Sequence, residues 1–213
     1  MDKRKRQKQI LQELAVVYAE ATTALEFKNP FELLIATILA AQSTDRQVNS
    51  ITGSLFEKYP NPQSFAQLTP EILAEDIKGV GLFRNKSRHI VATSRELLLR
   101  HQGQVPSTRE ELEKLPGVGR KTANVVLSVA FNQPALAVDT HVFRVANRLG
   151  LARAKNPLET EKQLCAIIPE DLWGQAHHWL IYHGRQVCKA RNPLCNECVL
   201  AEYCDYYKTV IKN

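Results

Sequence analysis

Leu115-Pro116-Gly117-Val118-Gly119-Arg120-Lys121-Thr122-Ala123-Asn124, near the middle of a 213-residue chain, brings two kinds of chemistry together. Gly117 and Gly119, at alternate positions, bare backbone N–H groups where a helix begins. The positive end of a helix with unpaired amides binds a phosphate without any charged side chain. Lys121 adds an amine in the first turn of that helix. The helix dipole disfavours an ammonium there, and the adjacent Arg120 disfavours it again, so both favour the neutral amine that a nucleophile needs. A nucleotide P-loop is excluded, because it requires glycine directly before the lysine and a strand ahead, and Arg120 intervenes. The third glycine of a dinucleotide fold is also missing, since Thr122 stands there. What competes is a plain helical hairpin with an ordinary surface lysine.

A second group lies further on. Cys188, Cys195, Cys198 and Cys204 fall within seventeen consecutive residues, separated by six, two and five. Thiolates this close repel one another unless a cation holds them, so the spacing points to a metal centre. Zinc sites of four cysteines usually come as two close pairs, and only one such pair is present. An iron–sulfur cube accepts the wider loops, although the common ferredoxin spacing is not matched. On the residues alone both metals stay open, with the loop lengths on the side of iron–sulfur. Lys189 and Arg191 sit between the first two cysteines, where a rigidly anchored loop would present them to a phosphate backbone. Cys165 stands apart on an apolar face and is expected to be a core thiol.

Helices must position these groups. Ile10, Leu11, Leu14, Val17 and Tyr18 make one amphipathic face, with residues 3–8 as a solvated basic end. Asn29-Pro30-Phe31-Glu32 supplies a cap, a proline and a first-turn glutamate for a helix over residues 31 to about 42. That helix is apolar nearly all round and should be central to a core. Thr44 or Asp45 caps the next, which carries Val48, Ile51, Leu55 and Phe56. Thr69 caps another beyond Pro60 and Pro62. Ile77-Lys78-Gly79-Val80-Gly81-Leu82 echoes the central turn and predicts a similar backbone. The helix after it, residues 84–100, is expected to expose Arg84, Lys86, Arg88 and Arg95 and to bury Ile90, Val91, Ser94, Leu97 and Leu98. Residues 107–114 and the face of Ala123, Val126, Leu127 and Ala130 flank the central turn. Asp139 caps a helix bearing Val142, Val145, Ala146 and Leu149 and ending at Gly150. Two more helices carry Leu164, Ile167 and Ile168, then Leu172, Ala176, Trp179, Leu180 and His183. No stretch shows sustained strand alternation. The chain reads as all-α.

The 28 basic and 22 acidic residues leave a net charge of +6 and a pI near 9.1, which suits nucleic acid without requiring it. No apolar run reaches membrane-spanning length, and the basic start leads into no signal core, so a soluble, cytoplasmic protein is expected. Five cysteines grouped in this way do not look like an extracellular disulfide framework.

The glycine-rich helix–hairpin–helix with Lys121, the Asp139 of Val138-Asp139-Thr140-His141 eighteen residues later, and the six-two-five cysteines together resemble the endonuclease III family of DNA glycosylases with abasic-site lyase activity. The resemblance runs from near Pro30 to Cys204. It implies two helical domains flanking a DNA-binding groove. Residues 23–133 would form a six-helix domain with the hairpin. Residues 1–22 and 134–213 would form the domain of a [4Fe–4S] cluster on Cys188, Cys195, Cys198 and Cys204. Lys121 would attack the sugar C1′ and form a Schiff base, Asp139 would stabilise the developing positive charge, and β-elimination would cut the strand. Burial under DNA would further favour the free amine.

The N–H groups of Gly117, Val118 and Gly119, beside Arg120, would hold a phosphate, with a monovalent cation bridging to carbonyl oxygens. Gln42 would enter the gap left by the flipped nucleotide and Leu82 would wedge into the stack. Ser43, Thr44, Asp45 and His141 are weaker candidates for the base pocket. Adenine glycosylases of this fold lack a lysine at the position of Lys121 and carry a further domain. The expected partner is therefore double-stranded DNA with damaged pyrimidines or abasic sites, bound by a monomer in the nucleoid of a bacterium. Two rivals stand beside this reading: a non-enzymatic hairpin DNA-binding protein with a structural metal cluster, and a small electron-transfer protein. The second leaves Lys121 and Asp139 without a role.

Overall fold

Every regular element among residues 2–211, those described by the computed structural model, is helical. The α-helices are α1 (Lys3–Val17), α2 (Pro30–Ala40), α3 (Asp45–Lys58), α4 (Pro62–Ala66), α5 (Pro70–Asp76), α6 (Phe83–His101), α7 (Arg109–Leu112), α8 (Arg120–Ala130), α9 (Thr140–Leu149), α10 (Pro157–Cys165) and α11 (Trp173–Gln186). Short 3₁₀ and π turns follow α11, through the cysteine segment. None of these helices is long and apolar enough to cross a membrane. The chain folds as two units, Ala24–Gln133, and Met1–Thr23 with Pro134–Asn213.

In the first unit all nine residues from 31 to 39 of α2 are buried. The Asn29 side chain accepts from the Glu32 N–H at 2.9 Å, and the Glu32 carboxylate accepts from the Lys28 N–H at 2.7 Å, so the start is fixed from both sides. The helix packs against α3, α6 and α8. Its Leu33, Leu34, Ile35, Ile38 and Leu39 are almost fully covered, each contributing about 1.5–3 kcal/mol. It stops at Ala40, because Ala41 leaves the helical region at ψ 115°, and Gln42 then turns left-handed at φ 56°. Thr44 and Gln47 form a capping box for α3, which settles the choice between Thr44 and Asp45. The long α6 lies against α4 and α5, and α7 against α8, with the Arg109 Nε donating to Asn124 Oδ1 at 2.9 Å.

Two expectations for this unit fail. Lys86 is not on the exposed face of α6: it is 4% exposed, because it stands one helical turn before Ile90 on the buried stripe. The turn at 77–82 also differs from the central one. Both close on a bond from the valine N–H to the residue three before it, Val80 to Ile77 and Val118 to Leu115. The left-handed residue, however, is Gly117 (φ 77°) in one and Leu82 (φ 56°) in the other.

The second unit is organised by α9 and α11, with α1 packed on α11 and α10 on α9. Gly184 permits the close crossing, since a Cβ there would lie 3.1 Å from both His141 Cβ and Val145 Cγ2. Ile10, Leu14 and Tyr18 of the α1 region enter this core, whereas Val17 is 47% exposed. Nor is the basic end of α1 wholly solvated. Arg6 donates to the carbonyls of Leu149, Gly150 and Tyr203 and pairs with Asp205 at 2.8 Å. Residues 135–138 are a buried apolar link, tied to α11 by His177 Nδ1, which donates to the Ala137 carbonyl at 2.7 Å.

Candidate functional site

The central hairpin is held from beneath by α6. Thr93, fully buried, donates its hydroxyl to the Pro116 carbonyl at 2.6 Å. His89 fills the space under Gly117, where a Cβ would approach its Cβ to 2.8 Å and its Nδ1 to 2.9 Å. Gly119 is extended, caps α8 without any side-chain bond, and has open space around it. The first N–H groups of α8 therefore receive no side-chain cap and suit an anion from outside. Val118 departs from the expected cradle: its N–H closes the turn onto Leu115 at 3.1 Å, and its side chain is buried. Gly117 and Gly119 are left as the anion-facing candidates. Lys121 is exposed in the first turn of α8, and Arg120 sits 4.0 Å from Glu113, a weak surface pair.

These surroundings predict opposite outcomes at the two glycines. Gly117→Ala meets both a left-handed φ and the His89 ring, and should lower stability by about 1–3 kcal/mol. Gly119→Ala should change stability by less than about 1 kcal/mol. Denaturant midpoints of the two variants check the contrast, which shrinks to the cost of the left-handed φ alone if His89 swings away freely.

Gln42 and Leu82 share a property that sequence periodicity does not reveal. Both lie at φ 56°, and both are exposed. Left-handed backbone is rare for a large apolar residue and accumulates at functional sites. Their two loops touch: the Gly81 N–H donates to Ser43 Oγ at 3.0 Å, and a Cβ on Gly81 would lie 3.0 Å from the Gln42 carbonyl oxygen.

Asp139 is half-buried and caps α9, accepting from the Val142 N–H at 2.8 Å through Oδ1. His141 follows on the same helix, with Nδ1 3.2 Å from an Arg144 guanidinium nitrogen.

Cys188, Cys195, Cys198 and Cys204 line one small cavity with Leu149, His183, Val187, Pro193 and Tyr206. Burial pushes the Cys198 thiol up to about 11 and raises Cys195 and Cys204 as well. Neighbouring cysteines add to the rise, so four thiolates here require compensating positive charge. Among the described residues no three His, Cys, Asp or Glu side chains close on one point as a single metal ion demands. Four cysteine sulfurs around one common cavity are a donor set that can hold an iron–sulfur cluster. The residues present thus fit an iron–sulfur cluster.

Arg144 and Arg148, one turn apart on α9, were not evident as functional in the sequence. Arg148 donates to the carbonyls of Lys189 (2.7 Å) and Ala190 (3.1 Å), and Arg144 to those of Cys188 (3.1 Å) and Gly184 (2.9 Å). They hold the backbone of the loop that carries Lys189 and Arg191, both exposed. The available signal was their i, i+4 spacing opposite the apolar face of α9. Tyr18 and His183 complete the surroundings, with the phenol 3.0 Å from Nδ1 and Cys198 Sγ 3.7 Å from Nε2.

The model of the HhH-GPD superfamily of base excision DNA repair proteins matches residues 35–170, which include the central hairpin and Asp139. The iron–sulfur binding domain of endonuclease III matches residues 188–204, which begin and end on cysteines of the cluster cavity. Endonuclease III of Rickettsia felis is 51% identical, with 89% of each chain covered, and that of Escherichia coli K12 is 46% identical over 99% of each. A solved endonuclease III–DNA covalent intermediate superposes with a TM-score of 0.95 at 47% identity over 100% of both chains. The chain belongs to the endonuclease III family: it is a base excision repair DNA glycosylase and abasic-site lyase that carries a [4Fe–4S] cluster.

Proposed function

We propose that Lys121 is the nucleophile and Asp139 its carboxylate partner in removing oxidised or saturated pyrimidines from duplex DNA. The observation that carries this reading is an exposed amine in the first turn of a helix whose glycine-led start has no side-chain cap. The relative trapped as a covalent intermediate with DNA supports a bond between enzyme and substrate. Lys121 Nζ adds to C1′ as the base departs with the glycosidic electron pair. The nitrogen, having lost a proton, then uses its lone pair to open the sugar ring: the C1′–O4′ bond breaks, O4′ takes a proton, and the imine is left at C1′. Removal of a C2′ proton then expels the 3′ phosphate and cuts the strand. Asp139 stabilises positive charge at the sugar and assists these proton transfers.

Gly117 and Gly119 hold a phosphate beside Arg120, with a monovalent cation as a possible bridge to hairpin carbonyls. Gln42 and Leu82 occupy the stack around the flipped nucleotide. Cys188, Cys195, Cys198 and Cys204 hold the cluster, whose contribution is structural: it fixes the loop that offers Lys189 and Arg191 to the backbone. The enzyme works as a monomer on nucleoid DNA in the cytoplasm. Borohydride reduction with duplexes carrying a panel of oxidised pyrimidines should give a stable protein–DNA adduct. An adduct formed only with abasic duplex would remove oxidised pyrimidines as the substrate class.

A further inference from the structure

α6 carries a cation into the core of the first unit without a carboxylate to meet it. The Lys86 ammonium donates to the Leu39 carbonyl at 2.7 Å and to Ser43 Oγ at 2.9 Å. Burial lowers its proton affinity, as expected for an ammonium taken out of water. A methionine would fill this place with far less desolvation, so what the amine obtains must lie in its two acceptors. Leu39 O is one of the last carbonyls of α2, without a partner inside the helix and at its negative end. Ser43 Oγ is the same atom that accepts from the Gly81 N–H. Leu39, Lys86, Ser43 and Gly81 therefore form one continuous chain of hydrogen bonds. It joins the loop after α2 to the loop before α6. Gln42 stands next to one end of that link and Leu82 next to the other, each in left-handed backbone.

We infer that Lys86 is a positioning residue: through Ser43 it locks the spacing of Gln42 and Leu82, so that both side chains are set for the DNA stack before DNA binds. The inference rests on the reading of Gln42 and Leu82 as the stack-entering pair. Preset geometry matters because each exposed, strained residue would otherwise relax, and DNA binding would have to order it again.

Lys86→Met keeps the stem and removes the donors; Ser43→Ala removes the shared acceptor. Each should speed hydrogen exchange at the Gly81 amide about tenfold or more, with amides inside α2 and α6 unchanged. Lys86→Met should also reduce the preference for lesion-bearing over undamaged duplex about tenfold, with undamaged binding intact. Lys86→Arg, which retains donors, should recover part of that preference. Faster exchange with full preference would make Lys86 a structural residue only and overturn the inference, as would unchanged exchange. Gln42→Ala and Leu82→Ala are measured alongside. If they lose the preference and Lys86→Met does not, only the brace fails. If they too keep it, the stack-entering reading itself fails. Should Lys86→Met not fold, Lys86→Gln, whose shorter amide cannot reach both the Leu39 carbonyl and Ser43 Oγ, takes its place with the same readouts.

Discussion

Lys121→Gln is expected to eliminate the borohydride-trapped adduct and to lower strand cleavage by on the order of 10³-fold or more, while duplex binding stays within a few-fold. The separation of effects follows from where the side chain sits. Lys121 is exposed in the first turn of α8, so a neutral side chain of similar reach disturbs no packing. Removing a cation from the positive end of a helix should leave stability level or slightly higher, within about 0.5 kcal/mol. The anion site beside it is made of backbone, so phosphate contact survives the change. Glutamine has no free amine and cannot form an imine. Thermal unfolding, equilibrium binding to an abasic duplex and reductive trapping, measured on one preparation, read these three consequences independently. A trapped adduct of undiminished yield would move the nucleophile to another amine.

How far such roles can be read from a sequence depends on which physical signal carries them. Caps are local, and Asn29, Thr69 and Asp139 all stand where their neighbours alone would place them, while at Thr44 or Asp45 the structure was needed to choose Thr44. The glycine hairpin was legible for the same reason: a proline and two glycines leave few backbone solutions. Period was legible too, but charge misled wherever it disagreed with period. Lys86 lies four residues before Ile90, and Arg6 four before Ile10, so helical spacing assigns both to inward stripes. Their charge argued for solvent, and the structure follows the spacing because each amine or guanidinium finds backbone carbonyls to satisfy it. Gln42 and Leu82 show the other limit. A left-handed backbone at glutamine or leucine has no sequence signature, since neither residue favours it. The cluster lay between these cases. Spacing pointed to a metal, whereas the choice of iron–sulfur required the family comparison.

Asp139→Asn should separate two functions that one carboxylate combines. Asparagine is as good an N-cap as aspartate, and its amide oxygen can accept the Val142 N–H now held at 2.8 Å. What is lost structurally is only the favourable interaction of a negative charge with the helix end, about 0.3–1 kcal/mol. The chemical loss is larger. A neutral amide neither stabilises positive charge at the sugar nor takes a proton, and the rate of base removal should fall by roughly 10²–10⁴-fold. Asp139→Ala removes the cap as well and should cost about 1 kcal/mol more in stability for a similar loss of rate. Single-turnover base release, set against the unfolding midpoint for both variants, tests the division. If the asparagine variant turns over at the native rate and only the alanine variant slows, in step with its lost stability, then Asp139 serves α9 and not the reaction. If both are slow while asparagine folds as the native chain does, the negative charge itself is what the chemistry needs.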